Sequence, residues 1–233
     1  MEYIFSLLLN IVYPEWCVIC GTGLLMEDFF RSYPLCRRCE QTIRFRSERL
    51  CRTCSKPLIS ERDICLQCRE REFLFRNNYS LMSYRGVEKL LIRAYKFQNR
   101  KNLSRYLSGI LHKVILFRYG SCPVVPVPPR PRGKRKRGWD PLERICRELD
   151  SRYSITILRC LKRKGGKQQK TLDYDKRITN MRGNIYPKKD TGIPEQVILL
   201  DDVFTTGATL NECTRILHQI GAESVFCITL AAD

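Results

Sequence analysis

The stretch VILLDDVFTTGATL, at residues 197–210, decides the fold that we expect for this chain. Its first four residues form a continuous apolar run, which is typical of a parallel strand buried on both faces. Leu210, Cys213 and Leu217 then recur at helical spacing, and residues 225–230 form a second apolar run. We therefore expect a strand–loop–helix–strand unit of an α/β domain, with a ligand at the carboxyl end of the first strand.

Two acids and a threonine-rich loop follow the apolar run. The loop comprises Thr205, Thr206, Gly207, Ala208 and Thr209. It opens the predicted helix, where unpaired N–H groups and the helix dipole favour a phosphate. Asp201 and Asp202 suit the neutral 2′ and 3′ hydroxyls of a ribose, with Mg²⁺ offsetting their charge. A ribose bearing a 5′-phosphate meets both requirements, and a strand-end turn with a threonine-rich helix cap is the simpler alternative.

The pattern along the chain changes near residue 75, which predicts two domains, at 1–75 and 76–233. The first is rich in cysteine and poor in apolar periodicity, so it can form little core without a metal. The second alternates strand and helix patterns, as in an α/β parallel sheet domain. We predict strands at 79–84, 123–129, 155–158, 197–200 and 225–230, and helices at 87–97, 103–114, 141–149 and 210–220.

Eight of the thirteen cysteines form four CxxC pairs in the first 75 residues. The pairs are Cys17 with Cys20, Cys36 with Cys39, Cys51 with Cys54, and Cys65 with Cys68. Such pairs predict one or two structural Zn²⁺ sites with four thiolates each. A redox CxxC, an iron–sulfur cluster, a single occupied site and an interleaved pairing of the CxxC motifs are the alternatives.

The chain of 233 residues is strongly basic, with 42 Lys and Arg against 24 Asp and Glu, a formal charge of +18. Such a charge attracts polyanions, either nucleic acid or phosphorylated small molecules. A basic run follows the proline-stiffened loop that ends the strand at 123–129. It contains Arg130, Arg132, Lys134, Arg135, Lys136 and Arg137. These residues would hold a pyrophosphate or grip nucleic acid with Trp139 stacking on a base; a solvated run with Trp139 in the core is the alternative.

The N-terminal stretch MEYIFSLLLNIVYPEW is apolar over too few residues to span a bilayer. It carries an acid where a signal peptide has positive charge. We expect a short helix that packs on the protein, no stable membrane insertion and a cytoplasmic location. Membrane contact by this helix is a minor alternative.

Residues 197–210 resemble the signature of the type I phosphoribosyltransferases, which bind phosphoribosyl pyrophosphate (PRPP). The resemblance implies that Asp201 and Asp202 contact the ribose hydroxyls at the catalytic centre, and that residues 205–209 hold the 5′-phosphate. It also implies that the turn containing Arg130 and Arg132 holds the pyrophosphate, with Mg²⁺ accompanying PRPP.

The whole arrangement resembles the ComF/ComFC family of competence proteins. The motifs that carry this resemblance, besides the cysteine pairs and the terminal loop, are Tyr84-Arg85-Gly86, Lys96-Phe97, VPVP at 125–128, Arg137-Gly138 and Asn180-x-Arg182-Gly183. The family implies a PRPP-binding fold with an N-terminal zinc ribbon and a part in the uptake of single-stranded DNA. Other competence proteins, such as a DNA translocase, would be partners.

Two loops depart from the family pattern. Asp140-Pro141 stands where the family commonly has Asn-Gln, and Lys170-Thr171 replaces a usual Thr-Gly. Both loops are expected to face the acceptor substrate, so the two departures bear on which acceptor it is. The sequence therefore predicts a protein that binds PRPP and single-stranded DNA. The alternatives are an active Mg²⁺-dependent transferase that moves phosphoribose from PRPP to an acceptor, and a zinc-ribbon scaffold with a relic site.

Overall fold

The computed structural model describes residues 15–24, 32–46, 49–164, 183–188 and 192–233. Residues 1–14, which carry most of the predicted N-terminal helix, lie outside the described residues. So do four residues of the sequence motifs, Lys170, Thr171, Asn180 and Arg182. Among the described residues, no helix is both long enough and apolar enough to cross a membrane.

Helices and strands alternate from residue 77 onward. The helices are α1 (Arg37–Thr42), α2 (Leu66–Arg69), α3 (Gly86–Phe97), α4 (Leu103–Tyr119), α5 (Pro131–Arg137), α6 (Pro141–Tyr153) and α7 (Ala208–Gln219). The strands are β1 (Asn77–Ser83), β2 (Val124–Pro126), β3 (Leu161–Arg163), β4 (Ile185–Pro187), β5 (Gln196–Phe204) and β6 (Ser224–Ala232).

Four strands form a parallel sheet in the order β1-β6-β5-β2. Residues 197–200 of β5 are completely buried, as the continuous apolar run predicts for a strand covered on both faces. The predicted α/β fold with a parallel sheet is confirmed. Strands β3 and β4 form a separate antiparallel pair.

Strand β5 is longer than its apolar run. It pairs with β6 from Gln196 as far as Phe204, which lies opposite Ala232. We expected Asp201 and Asp202 to follow the strand, but they lie within its final part because β6 continues alongside them. Both acids are therefore held by the sheet ladder, which fixes their backbone positions.

The basic run forms helix α5, whereas we predicted no helix between residues 129 and 141. Pro131 stands in the first turn, where its missing N–H costs no hydrogen bond, and Gly138 ends the helix with φ of 73°. Lysine and arginine are good helix formers, so their charge does not prevent a short helix. The predicted strand at 155–158 is reduced to one bridge between Ile157 and Val124 beside β2.

The cysteine-rich segment covers the outer edge of β1. Arg46 N–H donates to the Leu81 carbonyl at 2.9 Å, and Asn78 N–H donates to the Arg52 carbonyl at 2.7 Å. An uncovered edge strand would leave such groups available to other chains. The segment thus pairs with part of the outer edge of β1 through backbone hydrogen bonds.

Candidate functional sites

Two clusters of four cysteines form in the N-terminal segment. One consists of Cys17, Cys20, Cys36 and Cys39, and the other of Cys51, Cys54, Cys65 and Cys68. In each cluster all Sγ atoms lie within 4.8 Å of one another. The CxxC pairs that follow each other in sequence therefore share a cluster, and the interleaved pairing that the sequence left open does not occur.

The spacing of the thiols fits tetrahedral zinc. Cys20 Sγ lies 3.8 Å from Cys36 Sγ, and Cys54 Sγ lies 3.7 Å from Cys65 Sγ. Zn–S bonds of about 2.3 Å at tetrahedral angles place sulfurs about 3.8 Å apart. Four thiolates leave no coordination position for water, so each cluster suits a structural ion. Both clusters support the structural Zn²⁺ that the cysteine spacing predicts.

The two clusters repeat the same local structure. An antiparallel bridge closes each first CxxC loop, between Trp16 and Gly23 in one and between Leu50 and Pro57 in the other. After the second cysteine of the loop, the chain turns through a left-handed residue, Gly21 with φ of 71° and Ser55 with φ of 57°. The N-terminal segment is thus a tandem repeat of one metal-binding unit.

The acid pair of β5 lies at the carboxyl edge of the sheet with a lysine bound to it. Lys96 Nζ, in the last turn of α3, lies 2.6 Å from Asp202 Oδ2. The side chains of Lys96 and Asp202 are 15% and 27% exposed. Asp202 N–H donates to Asp201 Oδ1 at 2.8 Å. One carboxylate oxygen of each acid thus has a partner within the protein, and both residues are half-buried.

Asp201 holds its proton more strongly than an ordinary aspartate. Burial and the neighbouring Asp202 carboxylate together raise its pKa to about 7, against the opposing effects of the Asp202 N–H hydrogen bond, Lys96 and Arg163. Burial also lowers the pKa of Arg163, and the nearby charge of Arg130 adds to that effect. The sheet edge therefore brings Asp201 into the electrostatic range of cations from α3 and β3.

Gly207 of the threonine-rich loop lies between Thr206 and the first residue of α7, and any other residue there would be strained. Gly207 has φ of 78°, and a Cβ there would lie 2.7 Å from Phe73 Cε1 and 2.9 Å from Phe204 Cζ. Thr205 is exposed, and Thr206 and Thr209 are half-buried. The loop thus presents threonine side chains and the first N–H groups of α7 beside the acid pair.

The segment between α2 and β1, residues 70–76, contacts this loop. Leu74 N–H donates to Asn211 Oδ1 in the first turn of α7 at 2.7 Å, and Phe73 packs over Gly207. Sequence reasoning did not connect these regions, because they are more than a hundred residues apart. The aromatic-rich stretch at 73–75, in which Phe73 is half-buried and Phe75 buried, was the local signal.

Arg130 and Arg132 follow the carboxyl end of β2, which pairs with β5 in the sheet. Both are exposed, Arg130 as the cap of α5 and Arg132 in its first turn. Their position at the same sheet edge as the acids agrees with the expected pyrophosphate turn. Whether a ligand uses them stays a prediction.

A cleft of about 540 Å³ opens beside the acid pair. Its lining consists of Lys96, Phe97, Asn99, Lys101, Gly133, Lys136, Arg137, Gly138 and Trp139. Four of these residues are cations and none is an acid. Trp139 packs edge-on against Tyr95 with ring centroids 5.2 Å apart, and Lys101 Nζ lies 5.9 Å from the Trp139 ring centroid. The cleft therefore combines positive charge with aromatic surface.

The residues predicted to bind nucleic acid fall into two groups, those that line the cleft and those that do not. Lys136, Arg137 and Trp139 line the cleft, whereas Lys134 and Arg135 are exposed on α5 and do not line it. Sequence reasoning assigned no role in a site to Lys96, Lys101 or Arg163. Lys96 lies one turn after Ile92, a buried residue of α3. A lysine that continues the buried face of a helix is the sequence signal that could have identified Lys96 as a site residue.

Comparison with known proteins agrees with the zinc ribbon and with the resemblance to competence proteins. Residues 8–69 match the family model of the double zinc ribbon domain. Competence protein ComFC of Streptococcus pneumoniae is 25% identical over 231 residues, which cover 92% of this chain and 98% of that protein. The chain resembles the ComFC competence proteins along most of its length. Competence protein F of Haemophilus influenzae is 26% identical over 84% of this chain and 83% of its own.

Solved structures that align with the chain include hypoxanthine phosphoribosyltransferases. The Trypanosoma cruzi enzyme aligns with a TM-score of 0.36 and 12% identity over 63% of this chain and 66% of its own. The Staphylococcus aureus enzyme aligns with a TM-score of 0.35 and 17% identity over 57% of this chain and 65% of its own. The alignments span just under two thirds of each enzyme.

Proposed function

We propose that this protein binds PRPP or a related sugar phosphate at the acid pair and threonine loop, and that it acts in the uptake of single-stranded DNA. The observation that carries the proposal is the placement of the half-buried Asp201 and Asp202 beside a helix N-terminus with a glycine-dependent turn. The similarity to competence proteins over most of the chain supports the cellular role.

The sugar phosphate would use two chemically different parts of the site. The carboxylates of Asp201 and Asp202 accept hydrogen bonds from ribose hydroxyls, and the N–H groups at the start of α7 bind the 5′-phosphate with the hydroxyls of Thr205, Thr206 and Thr209. Gly207 allows the phosphate to approach the backbone closely. Arg130 and Arg132, one strand away, would meet the pyrophosphate.

Single-stranded DNA would bind along the cleft. Lys101, Lys136 and Arg137 supply cations for phosphates, and Trp139 and the 62% exposed Phe97 supply rings on which bases stack. Lys134 and Arg135, on the exposed side of α5, would extend the phosphate track. We place the protein in the cytoplasm, where other competence proteins such as a DNA translocase would deliver the strand.

Calorimetric titration with PRPP and Mg²⁺ tests the first part of the proposal. We expect saturable binding by the zinc-loaded protein and its loss in the double variant Asp201→Asn/Asp202→Asn. Asp150→Asn, an exposed change on α6, is the matched control and should bind as the unchanged protein does. Absence of binding to the folded unchanged protein would contradict the sugar-phosphate site.

Tryptophan fluorescence tests the DNA part, because the chain has only two tryptophans. In a Trp16→Phe background, oligothymidylate should quench Trp139. The logarithm of the binding constant should fall with the logarithm of the salt concentration with a slope of about −4 for six phosphate contacts. Loss of two contacts in Lys136→Ala/Arg137→Ala should flatten the slope by about 1.4.

A double variant of equal charge loss, Lys113→Ala/Arg147→Ala, is the control for that experiment. Both residues are exposed and neither lines the cleft. An equal flattening in this control would indicate diffuse attraction by the basic surface. Unquenched Trp139 with a flat salt response would remove DNA from the proposal.

An active phosphoribosyltransferase is the second candidate. The observation that favours it is that the cleft shares Lys96 with the acid pair, so an acceptor in the cleft would lie beside the sugar phosphate. Positioning of this kind supplies much of the rate in a displacement reaction. Pyrophosphate release, measured with a panel of nucleobases, tests the activity, and release with none of them would count against it.

A further inference from the structure

We propose that Lys96 is a built-in counter-cation of the acid pair, so that the ribose phosphate part of the ligand binds without a divalent metal ion. The inference rests on the proposed sugar-phosphate site and concerns how that site balances its charge. It assigns Lys96 as a positioning residue, because its ammonium contacts Asp202 and holds that carboxylate in place.

The ion pair is built into the fold. Lys96 Nζ and Asp202 Oδ2 are 2.6 Å apart, and both side chains are mostly shielded from water. Lys96 extends from the last turn of α3, whose Ile92 and Tyr95 are completely buried, so the helix that carries the lysine cannot shift freely. A charge pair shielded from solvent interacts more strongly than an exposed pair.

One carboxylate oxygen of each acid already has a partner within the protein. Asp202 Oδ2 faces the Lys96 ammonium, and Asp201 Oδ1 accepts the Asp202 N–H. Mg²⁺ demands nearly octahedral coordination by oxygen and loses its water reluctantly. A magnesium ion at the acid pair would have to compete with the ammonium for Asp202.

The charges at the sheet edge also balance without a metal. Asp201 and Asp202 contribute at most two negative charges, and Lys96 and Arg163 both act on Asp201 as positive charges. An anionic sugar phosphate therefore meets no uncompensated pair of carboxylates. The free oxygens of the acids remain able to accept ribose hydroxyls, and any need for Mg²⁺ is confined to the pyrophosphate.

Ribose 5-phosphate provides the direct test, because it lacks the pyrophosphate. Calorimetric titrations are made with and without Mg²⁺, in buffer depleted of metal by a chelating resin so that no soluble chelator removes the structural zinc. The unchanged protein should bind ribose 5-phosphate with the same affinity in both buffers. Lys96→Met should weaken binding by at least about tenfold in the magnesium-free buffer, since one partner of a shielded charge pair is removed.

Two further variants separate charge compensation from a merely structural role. Lys96→Arg keeps the positive charge and should retain metal-independent binding, and Mg²⁺ should restore part of the affinity that Lys96→Met loses. Lys113→Met, an exposed lysine on α4, is the control for loss of one charge and should bind normally. Zinc content and far-UV circular dichroism verify that each variant is folded.

The outcomes distinguish this inference from the function on which it rests. Binding of ribose 5-phosphate that requires Mg²⁺ in the unchanged protein, or equal binding by Lys96→Met without Mg²⁺, would overturn the role of Lys96 and leave the sugar-phosphate site standing. Failure of both ribose 5-phosphate and PRPP to bind the folded protein in either buffer would overturn the site and the role of Lys96 together.

Discussion

The double ribbon and the parallel sheet are ordered by different forces. Each ribbon gathers four thiols within 4.8 Å, and cysteines make up most of the buried hydrophobic residues that the structure describes at 15–69. The sheet buries four consecutive apolar residues of β5 completely and contacts helices on its faces. The ribbons therefore depend on metal ligation, whereas the sheet depends on the removal of apolar surface from water.

The two regions are nevertheless joined through β1 and α3. Glu88 of α3 accepts a hydrogen bond from Arg44 N–H at 2.8 Å, and Tyr79 Oη donates to the Arg46 carbonyl at 2.9 Å. These polar contacts accompany an apolar one, since buried residues of the ribbons and the sheet form one hydrophobic cluster and Tyr33 packs against Tyr106 with ring centroids 5.0 Å apart. Loss of metal and loss of core should therefore produce distinguishable defects, and the boundary should also be sensitive to single hydrogen bonds.

The largest effect should follow removal of one zinc ligand. Cys51→Ser leaves three thiols in the second cluster, and metal binding contributes on the order of 10 kcal/mol to folding such a site. We expect the zinc content, measured by atomic absorption, to fall from two ions per chain to one. Limited proteolysis should then cut between residues 51 and 68.

Cys122→Ser is the matched control for the zinc prediction. Cys122 lies outside both clusters, and burial raises the pKa of its thiol to about 11, so it stays protonated at neutral pH. This variant should retain both ions and resist the protease. Retention of both ions by Cys51→Ser would show that the second cluster does not hold zinc through Cys51.

A smaller effect, confined to the sheet, should follow Leu199→Ala. Leu199 is completely buried in β5, and truncation of such a leucine costs about 2–5 kcal/mol through lost burial and the cavity that remains. Urea unfolding followed by circular dichroism measures the loss, and the zinc content should not change. Leu66→Ala, at a 66% exposed position in the second ribbon, should leave the free energy of unfolding almost unaltered.

The acid pair should make the stability of the sheet depend on pH. The pKa of Asp201 is raised to about 7, from an ordinary value of 3.8, so the folded protein binds a proton that the unfolded chain releases between about pH 4 and 7. Stability therefore falls as the pH rises through that range. Asp201→Asn should remove this dependence and stabilise the protein at pH 8 by on the order of 3 kcal/mol.

Urea titrations of both proteins at pH 5 and pH 8 measure this difference. Because Asp201 and Asp202 titrate as an interacting pair, the comparison is made between whole proteins and not assigned to one microscopic step. Asp150→Asn should follow the pH profile of the unchanged protein. A profile of Asp201→Asn that parallels the unchanged protein would contradict the raised pKa.

The sequence was informative wherever the signal is local. The apolar run of β5 and the cysteine spacing predict a buried strand and metal clusters, because burial on both faces and tetrahedral ligation each impose a short pattern. The pairing of Lys96 with Asp202 was not predictable, since it depends on how α3 packs beside β5. Helix α5 was missed because the basic run was interpreted only by its charge, although Pro131 and Gly138 are helix start and stop signals.

The smallest effect should come from a single hydroxyl at the boundary. Ser55 is 1% exposed, its Oγ–H donates to the Asn78 carbonyl at 2.7 Å, and it accepts from Ser80 N–H at 2.9 Å. Ser55→Ala leaves both buried backbone groups without this partner and should cost about 1–3 kcal/mol. The exchange rate of the Ser80 amide with solvent deuterium, measured by NMR, should rise accordingly.

Ser55→Gly separates the hydrogen bonds from the backbone at the same position. Ser55 has φ of 57°, a conformation that glycine adopts without the strain that alanine retains. Glycine should therefore destabilise the protein less than alanine does, while the Ser80 amide exchanges equally fast in both variants. Equal stability losses would mean that the hydroxyl alone fixes the boundary, and unchanged exchange in both would mean that the ribbon is held against β1 by its other contacts.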